Sequence, residues 1–284
     1  MPRNTTQILF SLALLLFATG ALAQPKRPGA SKEMGLLAGS MWYKGDLNPH
    51  NMFRSMGLPA YGMYFRQSID ARLSLRAQIM QGRFEVWDAD HPDPWQQNRN
   101  LNVRNEIHEY SLCAELNFRK HVVGRPKRSM VPFLYAGAAI YNHDPEGYHV
   151  DGDREYGWLA LQPMGTEGQG SVEGLESYAL FGRFAIPYGL GWKGNLGSGM
   201  SFQFEWGSRM IFTDYLDDVS GAYAEISSES PVAILMSNPS PEGPNRPGIG
   251  DQRGDAKRRD RYGYFLFSLG FRVSKKATTC WEVL

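Results

Sequence analysis

Cysteine is scarce in this chain, at 2 of 284 residues, which excludes a disulfide framework and any all-cysteine zinc site. Excess charge is also missing. Lys and Arg number 30 and Asp and Glu 29, so no broad basic field for nucleic acid is expected. Beyond the N-terminus no apolar run approaches 18 residues, which excludes a multi-span helical membrane protein. Convincing helical periodicity is absent too, apart from a short helical turn expected within Pro94–Asn105. Gly is abundant at 31 residues and aromatics reach 13%, a pairing that fits a β-rich protein with many turns.

Residues 1–23 carry one charge, Arg3, then an apolar stretch ending Ala21-Leu22-Ala23 before Gln24. This is the pattern of a cleaved signal peptide, too short to anchor the chain in a bilayer. Export to a compartment that tolerates disulfides is expected. A short basic tail, 24–32, follows, then a strand-rich region over 33–273 and a tail over 274–284.

Period-two alternation marks eight strands: about Glu33–Tyr43, Leu58–Ile69, Arg72–Phe84, Glu106–Phe118, Met130–Asn142, Tyr178–Lys193, Met200–Phe212 and Arg261–Val273. In the seventh, Phe202, Phe204, Trp206, Met210 and Phe212 oppose Ser201, Gln203, Glu205, Gly207 and Arg209, so they fall on opposite faces of a sheet. Connections alternate strictly. Short ones at 70–71, 119–129 and 194–199 separate long ones of about 14, 21, 35 and 48 residues. That alternation predicts an all-β, eight-stranded antiparallel up-and-down transmembrane β-barrel with long extracellular loops and short periplasmic turns. Both termini are then periplasmic. A soluble lipocalin-like barrel shares the alternation, but the rings on the apolar face would overfill a small lumen. Turned inward instead, the polar face carries Arg66, Arg76, Glu109, Glu115, Arg183, Glu205, Arg209 and Arg272. Three acids and five arginines are expected to pair as a plug, because unpaired buried charge is costly. A general pore is not expected.

Catalytic chemistry is sparse. There is no nucleophile elbow or triad spacing. His143, His149, Asp144, Asp151 and Asp153 share one loop, and Asp88, Asp90 and Asp93 another, but solvation explains each more simply than a metal; no cofactor is expected. Arg253-Gly254-Asp255 is an integrin-type tripeptide that chance accounts for. Lys257, Arg258, Arg259 and Arg261 form a basic cluster at the start of the last strand, open to lipid phosphates or to plain solvation. Cys113 lies mid-strand on the inward face and Cys280 in the C-terminal tail, so an internal bridge is disfavoured. Cys280 is the candidate for an intermolecular disulfide, with a free thiol as the alternative.

Several segments are too particular for a generic barrel. They are Leu161-Gln162-Pro163-Met164-Gly165-Thr166-Glu167-Gly168-Gln169-Gly170, Phe212-Thr213-Asp214-Tyr215-Leu216-Asp217-Asp218-Val219-Ser220, Tyr43-Lys44-Gly45-Asp46-Leu47, Pro132-Phe133-Leu134-Tyr135-Ala136-Gly137 and Phe184-Ala185-Ile186-Pro187-Tyr188-Gly189-Leu190-Gly191. Together, over about 33–273, they resemble the PorG family, the small outer-membrane barrel of the type IX secretion and gliding motility machinery. The resemblance implies a non-enzymatic subunit that holds the periplasmic ring of the PorK lipoprotein and PorN against the outer membrane and its lipids.

On that reading the partner-binding residues lie on the short-turn side. They are Lys120, Arg125, Lys127 and Arg128 in one turn, and Lys275, Lys276, Cys280 and Trp281 in the tail. Basic residues there favour an acidic partner surface, with ordinary solvation as the alternative. Gly165, Thr166, Glu167 and Gly168 in one loop, with Asp214, Asp217 and Asp218 in another, are expected to cap the opposite end, the aspartates pairing with lumenal arginines such as Arg209. Two other readings stay open: a lipid-modifying enzyme on a small barrel, and an adhesion barrel acting through its long loops.

Overall fold

The computed structural model describes residues 29–55, 58–124, 130–151, 154–170, 176–197, 199–226 and 230–273. The expected signal peptide and C-terminal tail lie outside them, and of the expected tail 24–32 only 29–32 are described, where β1 already begins at Ser31. Nine strands form: β1 (Ser31–Lys44), β2 (Pro59–Ser68), β3 (Leu73–Trp87), β4 (Asn102–Asn117), β5 (Val131–Asp151), β6 (Arg154–Ala160), β7 (Arg183–Asn195), β8 (Met200–Ile211) and β9 (Arg261–Arg272). Eight of them close into a ring, β1-β2-β3-β4-β5-β7-β8-β9, and β1 pairs with β9 to seal it. Every pairing is antiparallel. The chain is therefore a closed eight-stranded up-and-down β-barrel, as its alternation predicts.

The ninth strand corrects the reading. β5 was expected to end near Asn142, but it runs to Asp151 and turns back as β6, which pairs only with β5. β3 and β4 likewise extend to Trp87 and back to Asn102. Pleating continues in these overhangs, because Tyr141 and His143 are buried while Asp144 is exposed. Their outward residues are polar, as at Asn142, Asp144 and Glu146, so the hydropathy signal fades where the backbone pattern does not. The sixth expected strand begins at Arg183, not Tyr178. The expected helical turn forms as α1 (Pro94–Arg99): Asp93 caps its start by accepting from Trp95 N at 3.0 Å, and Asn100 ends it in the left-handed region at φ 56°. A second short helix, α2 (Pro231–Ser237), lies in the last long loop.

The wall is inverted relative to a soluble protein. Leu36, Met63, Ile79, Leu112, Leu116, Leu134, Trp192, Phe204, Phe267 and Phe271 are exposed on the outside. The polar residues are inside. That distribution is the one an outer-membrane β-barrel needs, with apolar side chains to lipid and polar ones filling the lumen.

The interior is fully charge-paired. Glu33, Glu109, Glu115 and Glu205 are buried on the inner wall, and so are Arg66, Arg76, Lys193 and Arg209. Glu115 is the hub. It lies 2.9 Å from Arg66 Nε, 3.1 Å from Arg76 Nε and 2.7 Å from Lys193 Nζ. Arg66 also reaches Glu33 at 2.8 Å, Arg76 reaches Glu205 at 2.6 Å, and Arg209 forks onto Glu109 at 2.8 and 3.0 Å. Aromatic rings line the cations: Tyr135 faces Arg76 at 4.9 Å and Tyr264 faces Arg209 at 4.5 Å. The composition of the plug differs from the expected three acids and five arginines. Arg183 and Arg272 stand half-buried at the two rims, while Glu33 and Lys193 complete the interior balance.

Removing Glu115 leaves three buried cations facing one another, and breaking a buried pair costs about 3–5 kcal/mol. Glu115→Ala is expected to lower the urea midpoint of the refolded barrel, read by its electrophoretic shift on heating. Leu116→Ala, on the lipid face of the same strand, should leave that midpoint nearly unchanged.

Candidate functional site

The long connections fold over one end of the barrel as a cap, built, among the described residues, from 45–55, 88–101, 161–170, 176–182, 212–226 and 230–260. The two sequence segments with the most particular residues, 161–170 and 212–220, meet inside it. Gly165 adopts φ 60° and Gly168 φ 84°, where side chains are strained; a Cβ on Gly165 would meet Gln169 O at 2.5 Å. This tight turn delivers Thr166 and Glu167 into the cap interior. Thr166 donates its hydroxyl to Asp218, and Tyr178 donates to the other oxygen of the same carboxylate at 2.6 Å. Glu167 accepts from the backbone of Ser220 at 2.9 Å and of Gly221 at 3.1 Å. One segment thus supplies acceptors for the orphan amides of the other.

Two arginines tie these segments to the remaining loops. Arg253 donates to Glu167 at 2.9 Å, to the Asp218 carbonyl at 2.8 Å and to the Ser237 carbonyl at 3.2 Å. Arg99, the last residue of α1, forks onto Asp88 at 2.7 and 2.9 Å and donates to the carbonyls of Arg253 and Asp46. Both guanidinium groups are buried. The expected pairing of the loop aspartates with Arg209 is not made, because Arg209 is held by Glu109 within the lumen. Arg253 serves the cap instead. The Arg253-Gly254-Asp255 tripeptide is accordingly no displayed adhesion motif, since its arginine is interior. Asp88 and Asp93 are occupied as an arginine partner and a helix cap.

The cap differs from the lumen in its charge balance. Glu167 and Asp88 have arginine partners, but Asp46, Asp217 and Asp260 make no ion pair among the described residues. Asp217 receives the Tyr43 hydroxyl and Val219 N at 3.1 Å. Asp260 receives Leu216 N at 2.9 Å, and Asp46 receives Asp255 N at 3.0 Å. Burial pushes the Asp217 and Asp260 carboxyls well above their ordinary range, and neighbouring carboxylates push the same way. Asp218 is raised to about 6 by burial, against the pull of Arg253. Asp214, which receives the Ser220 hydroxyl at 2.8 Å, is raised to about 7 by burial and by Asp46 and Glu167.

A cleft of about 160 Å³ opens at the cap surface between Asp46, Trp95 and Arg258, room for a few waters. No group of three His, Cys, Asp or Glu side chains could hold a metal ion among the described residues. His143 is buried beside Tyr178 at a centroid distance of 6.1 Å, and His108 faces outward 3.1 Å from Glu106. Cys113 is a buried free thiol on the inner wall.

Of the expected partner-binding residues, Lys120 is exposed in the turn after β4. Arg125, Lys127, Arg128, Lys275, Lys276, Cys280 and Trp281 lie outside the described residues. Sequence reasoning missed Arg99 and Asp260, and it named Asp46, Asp88 and Arg253 without giving them a place in the cap. They are scattered over more than two hundred positions with no common spacing, and only the fold brings them together.

An acid whose folded pKa is raised stays protonated while the unfolded chain ionises, so the cap loses stability as pH rises from about 4 through the folded values near 6 and 7. Amide hydrogen exchange over 212–220, after correction for intrinsic rates, should therefore be slower at about pH 4 than at about pH 8. Asp217→Asn should flatten that dependence. Asp217→Ala, which strands the Tyr43 hydroxyl and Val219 N, should cost about 1–3 kcal/mol of local protection at either pH.

Comparison with known proteins adds a family but little else. No curated protein matches the chain. Among solved structures, Neisserial surface protein A is 8% identical, over 86% of this chain and 99% of that one, with a TM-score of 0.41. Ail of Yersinia pestis is 9% identical over 87% and 99%, TM-score 0.40, and OprG from Pseudomonas aeruginosa 9% over 86% and 98%, TM-score 0.40. These likenesses are loose, and the barrel assignment rests on the strand pairing itself. A family profile matches residues 7–157, just over half of the 284-residue chain. The chain belongs to that family, described as a domain of unknown function, DUF6089.

Proposed function

We propose that this protein is a non-enzymatic outer-membrane anchor, a structural and assembly subunit of the type IX secretion machinery that holds the PorK/PorN ring to the membrane. The observation that carries the non-channel, non-enzyme part is the filled lumen. Eight buried charges cancel across the interior and the loops interlock above it, which leaves no path for solutes and makes the outer surfaces the working parts. The secretion role comes from the resemblance of the segments at 161–170 and 212–220 to the PorG family. These segments engage each other through Thr166, Glu167, Asp218 and Ser220, so their particular residues serve one contact.

In this reading the short-turn end faces the periplasm with both termini. Contacts to the ring fall to Lys120 and its neighbours Arg125, Lys127 and Arg128, and to the tail with Lys275, Lys276, Cys280 and Trp281. Cys280 forms the intermolecular disulfide.

The test is isolation of the tagged barrel from outer membranes in mild detergent under non-reducing conditions. A periplasmic ring lipoprotein should accompany it, and a reductant-sensitive adduct should vanish in Cys280→Ser. Recovery of the barrel alone from cells with intact secretion would sink the anchor reading.

A further inference from the structure

Charge is handled in two ways around the outer wall at the long-loop end. On the β3–β4–β5 side, outward cations face acids across the strands: Arg83 pairs with Glu106, and Arg104 with Glu146 at 2.9 Å. On the β1–β9–β8 side they do not. Lys44 ends β1 and Arg261 begins β9, and the two are direct partners in the β1–β9 register. Both are exposed, and both have the outward parity of their strands, shared with Leu36 on β1 and with Phe267 and Phe271 on β9. Like charges directly opposite on neighbouring strands repel and destabilise the pair. Here no protein acid relieves them, since neither makes an ion pair among the described residues.

Arg259 adds a third cation to the same sector. Its guanidinium lies 6.0 Å from the Phe212 ring centroid, which holds it at the wall and away from the loop tips. Acids on the adjoining turn are engaged elsewhere. Asp260 is buried and accepts from Leu216 N, and Asp255 accepts from Lys257 N at 3.2 Å. At the level of the cations and below them the wall is apolar. Met210 is the register partner of Arg261 on β8, Phe212 stacks on Phe184 at 5.9 Å, and Phe204 packs on Phe267 at 5.0 Å.

We propose that Lys44, Arg259 and Arg261 form a binding site for the phosphate groups of a phosphorylated glycolipid, whose acyl chains lie along the Met210, Phe212 and Phe267 face. Three observations select this ligand. Lys44 and Arg261 end their strands and Arg259 lies two residues before β9, at the upper edge of the apolar wall and not on a loop tip where a soluble polymer would be met. Arginine presents a planar fork that matches phosphate oxygens two at a time. A phosphate between Lys44 and Arg261 also turns their mutual repulsion into a shared attraction. The inference rests on the barrel spanning the membrane with its long loops on the side of that lipid. It does not depend on the secretion role.

Native mass spectrometry of the detergent-purified full-length barrel tests it, with three probes: diphosphoryl lipid A, the same lipid with phosphates removed, and glucosamine phosphate as a soluble headgroup. A basic side chain near an anionic surface contributes about fivefold in affinity, so three contribute about a hundredfold. The wild-type barrel should bind the diphosphoryl lipid about a hundredfold more tightly than its dephosphorylated form. K44Q/R259Q/R261Q should lose most of that preference, and R83Q/E106Q should keep it. Arg259→Gln alone, with a lower slope of binding against salt concentration, serves if the triple variant folds poorly by its heat-dependent gel shift. Equal binding of the two lipids by the wild-type protein overturns the proposal, as does a preference retained in the triple variant. Glucosamine phosphate binding as tightly as the lipid overturns the lipid assignment. The assay contains no ring protein, so failure here leaves the anchor reading untouched, and failure of ring copurification leaves this site untouched.

Discussion

Closing eight strands into a tube forces a fixed set of side chains into a space from which water is largely excluded, and in this protein many of those side chains are charged. Buried charge is tolerable only when compensated. Glu115 therefore sits within reach of Arg66, Arg76 and Lys193 at once, and Arg209 is forked onto Glu109. Other features follow from this requirement. Apolar residues are displaced to the outside, where lipid accepts them, and paired charges and rings occupy the interior.

The cap obeys the same electrostatics with a different solution. In the lumen every buried carboxylate has a cation. In the cap, Arg99 and Arg253 neutralise Asp88 and Glu167, and the remaining aspartates rely on hydroxyl and amide donors and on retained protons. The rigid part is the barrel wall, and the adjustable part is the cap over its long-loop end.

Much of this architecture was legible in the residue order. Alternation along Phe202–Phe212 and Tyr264–Phe271 follows from a pleated strand with lipid on one side, so strand number, closure and inward face could be read directly. The balance of the plug could not. Glu33 and Lys193 lie near strand ends, where nothing in the local pattern separates a lumenal residue from a rim residue, and Arg183 and Arg272 went the other way. β6 was hidden for a related reason: beyond the membrane both faces of a strand are polar, so Asn142, Asp144 and Glu146 carry no contrast. The cap's motifs were recognisable as particular, but their partners were not. Arg253 reaches Glu167 across 86 positions, and only the three-dimensional path of the 212–260 loop joins them.

The placement of the ion pairs also bears on how the barrel can be made. Arg76 on β3 answers Glu205 on β8, Lys193 on β7 answers Glu115 on β4, and Arg209 on β8 answers Glu109 on β4. These pairs cross the lumen and join strands distant in the ring. A half-formed sheet of β1 to β4 would hold Glu115 with Arg66 and Arg76 but Glu109 without Arg209. The Glu109 carboxylate therefore lacks its cation until β8 arrives, and leaving it unpaired in the interior is costly. The interactions that seal the tube thus penalise a barrel that lacks its last strands.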